Sequence, residues 1–170
     1  MTEPAPSPAT PLPIIERRRI EAQILGHVHE TIADRLGQDT ADEIVGAAVS
    51  RSAIAQGEEF AQALGRTPDF HDFAAILPNW TAGGALEIDR IEVTDATMAF
   101  DVTRCRYAEM YREMGLGRIG HLLSCNRDGD FCIGYNPNMK LTRTQTIMQG
   151  APCCDFRYHM EPEHEAPDGR

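Results

Sequence analysis

The feature that most constrains the fold is a change of hydrophobic periodicity at residues 78–85, PNWTAGGA. Before this loop, apolar residues recur at helical spacing, and after it apolar and polar residues alternate as on a half-buried strand. The first predicted helix is amphipathic and repeats apolar residues every four positions, at Ile20, Ile24, Val28, Ile32 and Leu36. The sequence therefore predicts a helical part, 14–78, followed by a part that contains a sheet, 84–160.

Four segments of the second part are predicted strands, at 86–93, 98–103, 141–148 and 154–160. The first two form a predicted hairpin, with a bulge near Asp89 or Arg90 where the alternation changes phase. Two predicted helices separate the hairpin from the last two strands. This order favours an α+β fold, in which N-terminal helices pack on a four-stranded antiparallel sheet with two helices inserted between the strand pairs.

Length and composition predict one domain with two disordered ends. A chain of 170 residues is long enough for a single core, which is predicted to span 14–160. Residues 1–13 contain five prolines among small polar residues, and residues 161–170 are mostly polar. Neither end can bury enough apolar surface to offset the entropy of ordering, so both are predicted to be disordered.

The charge and the cysteines limit the partners and the compartment. A formal net charge of -10 and a single lysine, Lys140, argue against a nucleic-acid partner. The absence of a long apolar run and of signal-peptide features predicts no membrane span and a cytoplasmic location. Five cysteines without a CxxC pair predict free thiols in a reducing compartment. A small-molecule substrate is the expected partner, and a homo-oligomer is left open.

One stretch brings an imidazole, a thiol and a carboxylate to helical spacing. His121, Cys125 and Asp128 stand at i, i+4 and i+7, so on an α-helix they line one face. Cys125 is then the predicted nucleophile, His121 its base and later acid, and Asp128 the group that orients the imidazole. Cys154, on the apolar side of the last strand, is a further predicted catalytic residue that could face this stripe of His121, Cys125 and Asp128. No cofactor is expected; the alternative is a zinc ion held by His121, Cys125 and Cys154 that activates water.

Three segments resemble the L-2-amino-thiazoline-4-carboxylic acid hydrolase family: DVTRCRYAEMYREMG, IGHLLSCNRD and LTRTQTIMQGAPCCDFRY. The family pattern is matched at Cys105, Glu109, Cys125, Asp128, Gly150, Cys154, Asp155 and Phe156. The resemblance covers residues 84–160 with specific motifs and the helical part more loosely. It implies a hydrolase that opens a C–N bond of a small cyclic amidine or amide, as in the conversion of 2-amino-thiazoline-4-carboxylate to a carbamoyl-cysteine.

The remaining site residues are assigned by chemistry. Arg143 is predicted to bind the substrate carboxylate, because a guanidinium pairs well with a carboxylate, and Arg104, Arg106 and Arg157 are alternatives. Glu109 and Asp155 are further predicted substrate-binding residues.

Two functions without catalysis compete with the hydrolase. The order of elements is also similar to vinyl-reductase-type ligand-binding domains, which predicts a small-molecule sensor, and a structural partner-binding domain is the third hypothesis. A Cys125 thiol open to a cavity with a polar floor would favour the enzyme. A closed apolar cavity with His121 outside it would favour the sensor.

Overall fold

The computed structural model describes residues 12–162, so the predicted disordered segments 1–13 and 161–170 lie almost wholly outside the described residues. The helices are α1 (Ile14–Leu36), α2 (Gln38–Leu64), α3 (Phe70–Ile76), α4 (Pro78–Thr81), α5 (Arg106–Glu113) and α6 (Arg127–Tyr135), with a π-helical turn at His121–Cys125 before α6. The strands are β1 (Leu86–Val93), β2 (Thr97–Cys105), β3 (Met139–Thr142) and β4 (Cys154–Met160). No helix within these residues combines the length and the apolar character needed to cross a lipid bilayer.

The four strands form one antiparallel sheet in the order β1-β2-β4-β3. The predicted α+β class is confirmed, with α5, the π-helical turn and α6 inserted between the strand pairs. The predicted hairpin and bulge are also confirmed, because the β1–β2 register shifts between Asp89 and Glu92. Arg90, inside this bulge, takes a φ of 27°.

The third strand is shorter than predicted and begins earlier. Alternation predicts a strand over 141–148, yet β3 ends at Thr142. The Asp155 carboxylate on β4 accepts hydrogen bonds from the amides of Thr144 at 3.0 Å and Gln145 at 2.9 Å. Amides held by a side chain are not free to continue a ladder, so the chain leaves the sheet. Arg143 therefore lies in a loop, not on a strand face.

The helices differ in what they pack against. Residues of α1 and α2 share an apolar cluster with α5, the π-helical turn and Met148. Residues of α3 and α6 share a second cluster with the sheet. The helix α6 also contacts α2, so it joins the N-terminal helices to the sheet.

The four-residue apolar repeat on α1 does not mark the buried side of the helix. Ile20, Ile24 and Leu36 are 55%, 66% and 63% exposed. The buried residues of α1 are instead Ile14, Ile15, Arg18, Ala22, Gly26 and His29. Small residues face inward where a neighbour approaches closely: a Cβ on Gly26 would lie 2.9 Å from a methyl carbon of Leu116.

The helices α2 and α6 touch through their backbones at two glycines. A Cβ on Gly57 would lie 2.2 Å from the carbonyl oxygen of Phe131, and a Cβ on Gly134 would lie 2.0 Å from that of Ile54. Only glycine allows this approach without moving one of the helices. The crossing fixes the position of α6, which carries the polar residues described next.

Candidate functional site

A cavity of about 90 Å³ lies between the helices and the sheet. Its wall is mostly apolar and includes Phe73, Ile88, Phe100, Val102 and Phe156. Its polar residues are Arg18, Gln56, Cys105, Tyr107, Ser124, Cys125, Arg127, Asp128, Arg143, Cys154 and Tyr158. A space of this size holds several water molecules and thus a small organic molecule.

The π-helical turn decides which residues of the predicted stripe reach the cavity. The amide of Asn126 donates to the carbonyl of His121 at 3.0 Å, an i→i+5 bond. Such a turn contains one residue more than an α-helical turn, which shifts the two sides of the stripe by about 100° relative to each other. Cys125 and Asp128 line the cavity, and His121 is not among its lining residues. The common face predicted for an α-helix therefore does not bring His121 to this cavity.

Asp128 and Arg143 form an ion pair on the floor of the cavity. Arg143 Nη1 donates to Asp128 Oδ2 at 2.5 Å, and Nη2 donates to the carbonyl oxygen of Cys125 at 2.9 Å. The guanidinium also lies over the ring of Phe156, 5.0 Å from its centroid. Asp128 lines the cavity, and 32% of its side chain is exposed. Burial raises the pKa of the Asp128 carboxyl above its ordinary value, and the charge of Arg143 opposes this shift only in part.

Three thiols line the cavity, and they differ in their contacts. The Cys105 sulfur accepts a hydrogen bond from the amide of Ala108 at 3.4 Å, and the Cys154 sulfur accepts one from the amide of Ile147 at 3.2 Å. Within residues 12–162 no hydrogen bond engages the sulfur of Cys125.

All three thiols are protonated at neutral pH. Burial raises the pKa of Cys105 to about 11 and also raises that of Cys154. For Cys125, burial and the nearby Asp128 carboxylate both raise the pKa. A reaction through Cys125 therefore needs a base that takes the thiol proton during the attack.

Cys125 and Arg143 also border an outer groove. The groove includes Gly46, Ser50, Gly129, Asp130 and Leu141. Cys125 and Arg143 thus line both the cavity and the groove.

Two predicted substrate-binding residues point elsewhere. Glu109 pairs with Arg104 on the exposed surface, at 2.8 Å, and does not line the cavity. Asp155 holds the loop at Thr144 and Gln145 and does not line the cavity either. Cys125, Asp128, Cys154 and Arg143 are thus the predicted site residues that the fold brings together.

The alternative zinc set is not assembled. In the part of the chain from 12 to 162, no three His, Cys, Asp or Glu side chains are arranged to hold a metal ion. His121, Cys125 and Cys154 are accordingly not gathered as ligands. All five cysteines are free thiols, as predicted.

Sequence reasoning missed two arginines of the site, Arg18 and Arg127. Both are buried, and both line the cavity. Arg18 donates to both oxygens of Glu21 at 2.8 Å and to Gln56 Oε1 at 2.9 Å. The available signal was the position of Arg18 four residues before Ala22 and eight before Gly26, on the side of α1 that carries small residues.

The fold is similar to two solved structures of low sequence identity. The phenol-responsive sensory domain of the transcription activator PoxR is 13% identical, with 81% of this chain and 73% of that chain covered and a TM-score of 0.52. Trafficking protein particle complex subunit 3 from Naegleria fowleri, covalently bound to palmitic acid, is 10% identical, with 86% and 96% covered and a TM-score of 0.51. At sequence identities this low, the structural similarity establishes a shared fold and nothing more. The chain is thus an α+β domain of this fold with an interior cavity.

The family is established by the sequence. The family model for L-2-amino-thiazoline-4-carboxylic acid hydrolase matches residues 17–158, and the chain belongs to this family. The resemblance seen in three segments of residues 84–160 is confirmed and extends through the helical part. A comparison with curated proteins gives no significant match.

Proposed function

We propose that this protein is a hydrolase that opens a C–N bond of a small cyclic amidine or amide, with Cys125 as nucleophile and Asp128 as the proton acceptor. One observation carries the proposal: a thiol without a hydrogen-bond partner among the described residues and a half-buried carboxyl with a raised pKa lie one helical turn apart beside the same cavity. The family supplies the reaction class and its reference substrate, 2-amino-thiazoline-4-carboxylate.

The proposed reaction adds one water to the substrate in two stages. Cys125 Sγ bonds to the amidine carbon, the C=N bond to the ring nitrogen becomes a single bond, and the thiol proton passes through Asp128 to that nitrogen. The ring C–N single bond then breaks, while the exocyclic nitrogen forms a new C=N bond and gives up one proton, which the departing ring nitrogen receives to become an amine. Water next adds across the new C=N bond, with its hydroxyl on carbon and one proton on nitrogen. The C=O bond then forms as the bond to Sγ breaks, and the hydroxyl proton returns to the sulfur, which leaves a carbamoyl product.

The electrostatics of the site are consistent with these roles. A raised pKa makes Asp128 a stronger base than an ordinary carboxylate. The raised pKa of Cys125 keeps the proton on the thiol before the attack. Arg143 holds Asp128 in place through the 2.5 Å contact. Cys105 and Cys154 serve as hydrogen-bond acceptors for backbone amides, so Cys125 is the preferred nucleophile. The proposed reaction assigns no step to His121, because His121 is not among the residues that line the cavity.

The test is turnover of 2-amino-thiazoline-4-carboxylate by wild type, Cys125→Ala and Asp128→Asn. We expect both variants to lose at least about 100-fold in kcat/KM, since each lacks a group that acts in the transition state. Cys153→Ala is the matched control, because Cys153 does not line the cavity and should leave turnover unchanged. Intact-protein mass spectrometry after a rapid quench should find the substrate carbon on Cys125.

Three results would decide against the proposed mechanism. Full activity of Cys125→Ala would remove both the thiol and the zinc-ligand role of Cys125. Activity lost on chelation and restored by zinc would favour metal-activated water. Inactive Cys153→Ala with normal folding would place the chemistry outside the cavity.

A second candidate function is a small-molecule sensor without catalysis. The mostly apolar wall of the cavity and the position of His121 outside it favour this alternative. The PoxR sensory domain, which shares the fold, is phenol-responsive. Saturable binding of a small aromatic or amidine ligand, with no product after long incubation, would support the sensor and contradict the hydrolase.

A further inference from the structure

Arg127 has an unusual environment for a buried arginine. Its Nε donates to the carbonyl oxygen of Leu123 at 3.1 Å, and its Nη2 donates to Glu21 Oε2 at 3.2 Å. Its Nη1 is buried and has no hydrogen-bond partner among the described residues, although 9% of the side chain is exposed and the residue lines the cavity. A buried guanidinium nitrogen without an acceptor is costly, so its presence calls for a partner.

The charges around Arg127 are not balanced. Glu21 is shared, because Arg18 Nη1 contacts both of its oxygens at 2.8 Å while Arg127 contacts one. Among the charged side chains that line the cavity or pair with them, three are arginines and two are carboxylates. The net charge of these five side chains is therefore +1 when Asp128 is ionised. Burial, with repulsion from Arg18, lowers the pKa of Arg127 only to about 10, so the charge persists at neutral pH.

In Arg18 and Arg143, both terminal guanidinium nitrogens donate to an acceptor among the described residues. Arg18 uses Nη1 on Glu21 and Nη2 on Gln56. Arg143, the residue predicted from sequence to bind the substrate carboxylate, uses Nη1 on Asp128 and Nη2 on the Cys125 carbonyl. Arg127 Nη1 is the buried guanidinium nitrogen of the three that lacks an acceptor within residues 12–162.

We propose that Arg127 is the anion-recognition residue of the cavity and donates a hydrogen bond from Nη1 to a carboxylate of the bound molecule, while the charge of Arg18 adds to the attraction. One free donor and one excess positive charge suit one oxygen of a monoanion, and the small volume favours a carboxylate over a phosphate. The family's reference substrate carries one such carboxylate, and the new assignment is the residue that binds it. This deepens the proposed function, on which it rests for the identity of that molecule as substrate.

The experiment compares two ligands that differ by the carboxylate, 2-amino-thiazoline-4-carboxylate and 2-aminothiazoline. Binding is measured by titration calorimetry in the Cys125→Ala background, so that turnover does not consume the ligand. In this background Arg127→Met should weaken the carboxylate about 10- to 100-fold and change the affinity for 2-aminothiazoline by less than about twofold. Arg127→Lys should restore part of the loss because it returns the charge.

Two controls separate recognition from folding. Arg51→Met, at an exposed position of α2, should leave both affinities unchanged. Thermal melts establish that the Arg127 variants are folded, and Met keeps the unbranched stem of the arginine in its packing.

The outcomes also separate this proposal from the hydrolase. Selective carboxylate binding that depends on Arg127, without any product from wild type, would retain the anion site and reject the hydrolase. Turnover by wild type with equal effects of Arg127→Met on both ligands would reject the anion site alone. Unchanged carboxylate affinity in Arg127→Met, or no carboxylate binding by the Cys125→Ala protein, would also overturn it.

Discussion

Alanine at two glycines of α6 should change stability in opposite directions. A Cβ on Gly134 would lie 2.0 Å from the Ile54 carbonyl oxygen and 2.9 Å from the Glu58 amide nitrogen. A Cβ on Gly129 would meet no atom within 4 Å. Both residues are helical, so both substitutions gain the same intrinsic preference for alanine, about 1 kcal/mol at most. The difference between their changes in unfolding free energy therefore measures the cost of a Cβ atom at the contact between α2 and α6.

The magnitude follows from the contact distance. Ordinary Cβ contacts begin at 3.4 Å, so Gly134→Ala requires α2 and α6 to separate by up to about 1.4 Å at this point. The obstructing atoms belong to the backbone, and no side-chain rotation can relieve them. Overpacking in a well-packed interior costs about 1–3 kcal/mol and more when the backbone must move. We expect a net loss of about 2 kcal/mol for Gly134→Ala and a gain of up to about 1 kcal/mol for Gly129→Ala.

The assay is urea unfolding followed by far-ultraviolet circular dichroism. With a slope of about 2 kcal/mol per molar urea, the Gly134→Ala midpoint should fall by about 1 M and the Gly129→Ala midpoint should rise by up to about 0.5 M. Gly57→Ala should resemble Gly134→Ala, and the double variant should lose less than the sum, because the first substitution already separates the helices. Equal effects at Gly129 and Gly134 would refute the close crossing.

Three further predictions concern the site and its supports. Because burial raises the pKa of Asp128, the folded protein binds the carboxyl proton more tightly than the unfolded chain does. The protonated carboxyl therefore contributes its full stabilisation of the folded state below the ordinary pKa of 3.8, and this stabilisation is lost as pH rises through the folded-state pKa. The unfolding free energy of wild type minus that of Asp128→Asn should thus fall with rising pH in urea titrations, and a difference that rises would contradict the shift. At pH 8, iodoacetamide should alkylate Cys105 about 100-fold more slowly in the native protein than in urea, as judged by peptide mass spectrometry, because its pKa rises from 9.0 to about 11. Asp155→Ala should lower the unfolding free energy by about 1 kcal/mol and increase amide exchange at Thr144 and Gln145, whereas unchanged exchange would exclude Asp155 as their anchor.

Much of the fold was predictable because local pattern and tertiary packing agree there. Residues 154–160 alternate, and Cys154, Phe156 and Tyr158 are indeed buried on one side of β4. The phase change near Arg90 likewise marks a real bulge. The strand predicted at 141–148 ends at Thr142, because the Asp155 carboxylate takes the amides of Thr144 and Gln145. The alternation of apolar and polar residues within 141–148 does not reveal an acceptor that lies outside that segment.

The candidate site was predictable only in part, because two of its determinants are not periodic. The spacing of His121, Cys125 and Asp128 implies a common face only for an α-helix, and a π-helical turn leaves no mark in a hydrophobic pattern. Arg127 appears in sequence as one more charged residue at a helix start. Its burial depends on Glu21, 106 residues earlier in the chain, a distance over which spacing carries no information.

Cys125 and Arg143 line both the cavity and the outer groove, which matters for the choice of substitutions. Alanine at 125 removes the sulfur and also enlarges the space beside it, so a kinetic defect would combine lost chemistry with a changed shape of the cavity. Serine retains most of the bulk and deletes the thiol, and the comparison of Cys125→Ser with Cys125→Ala would separate the two contributions.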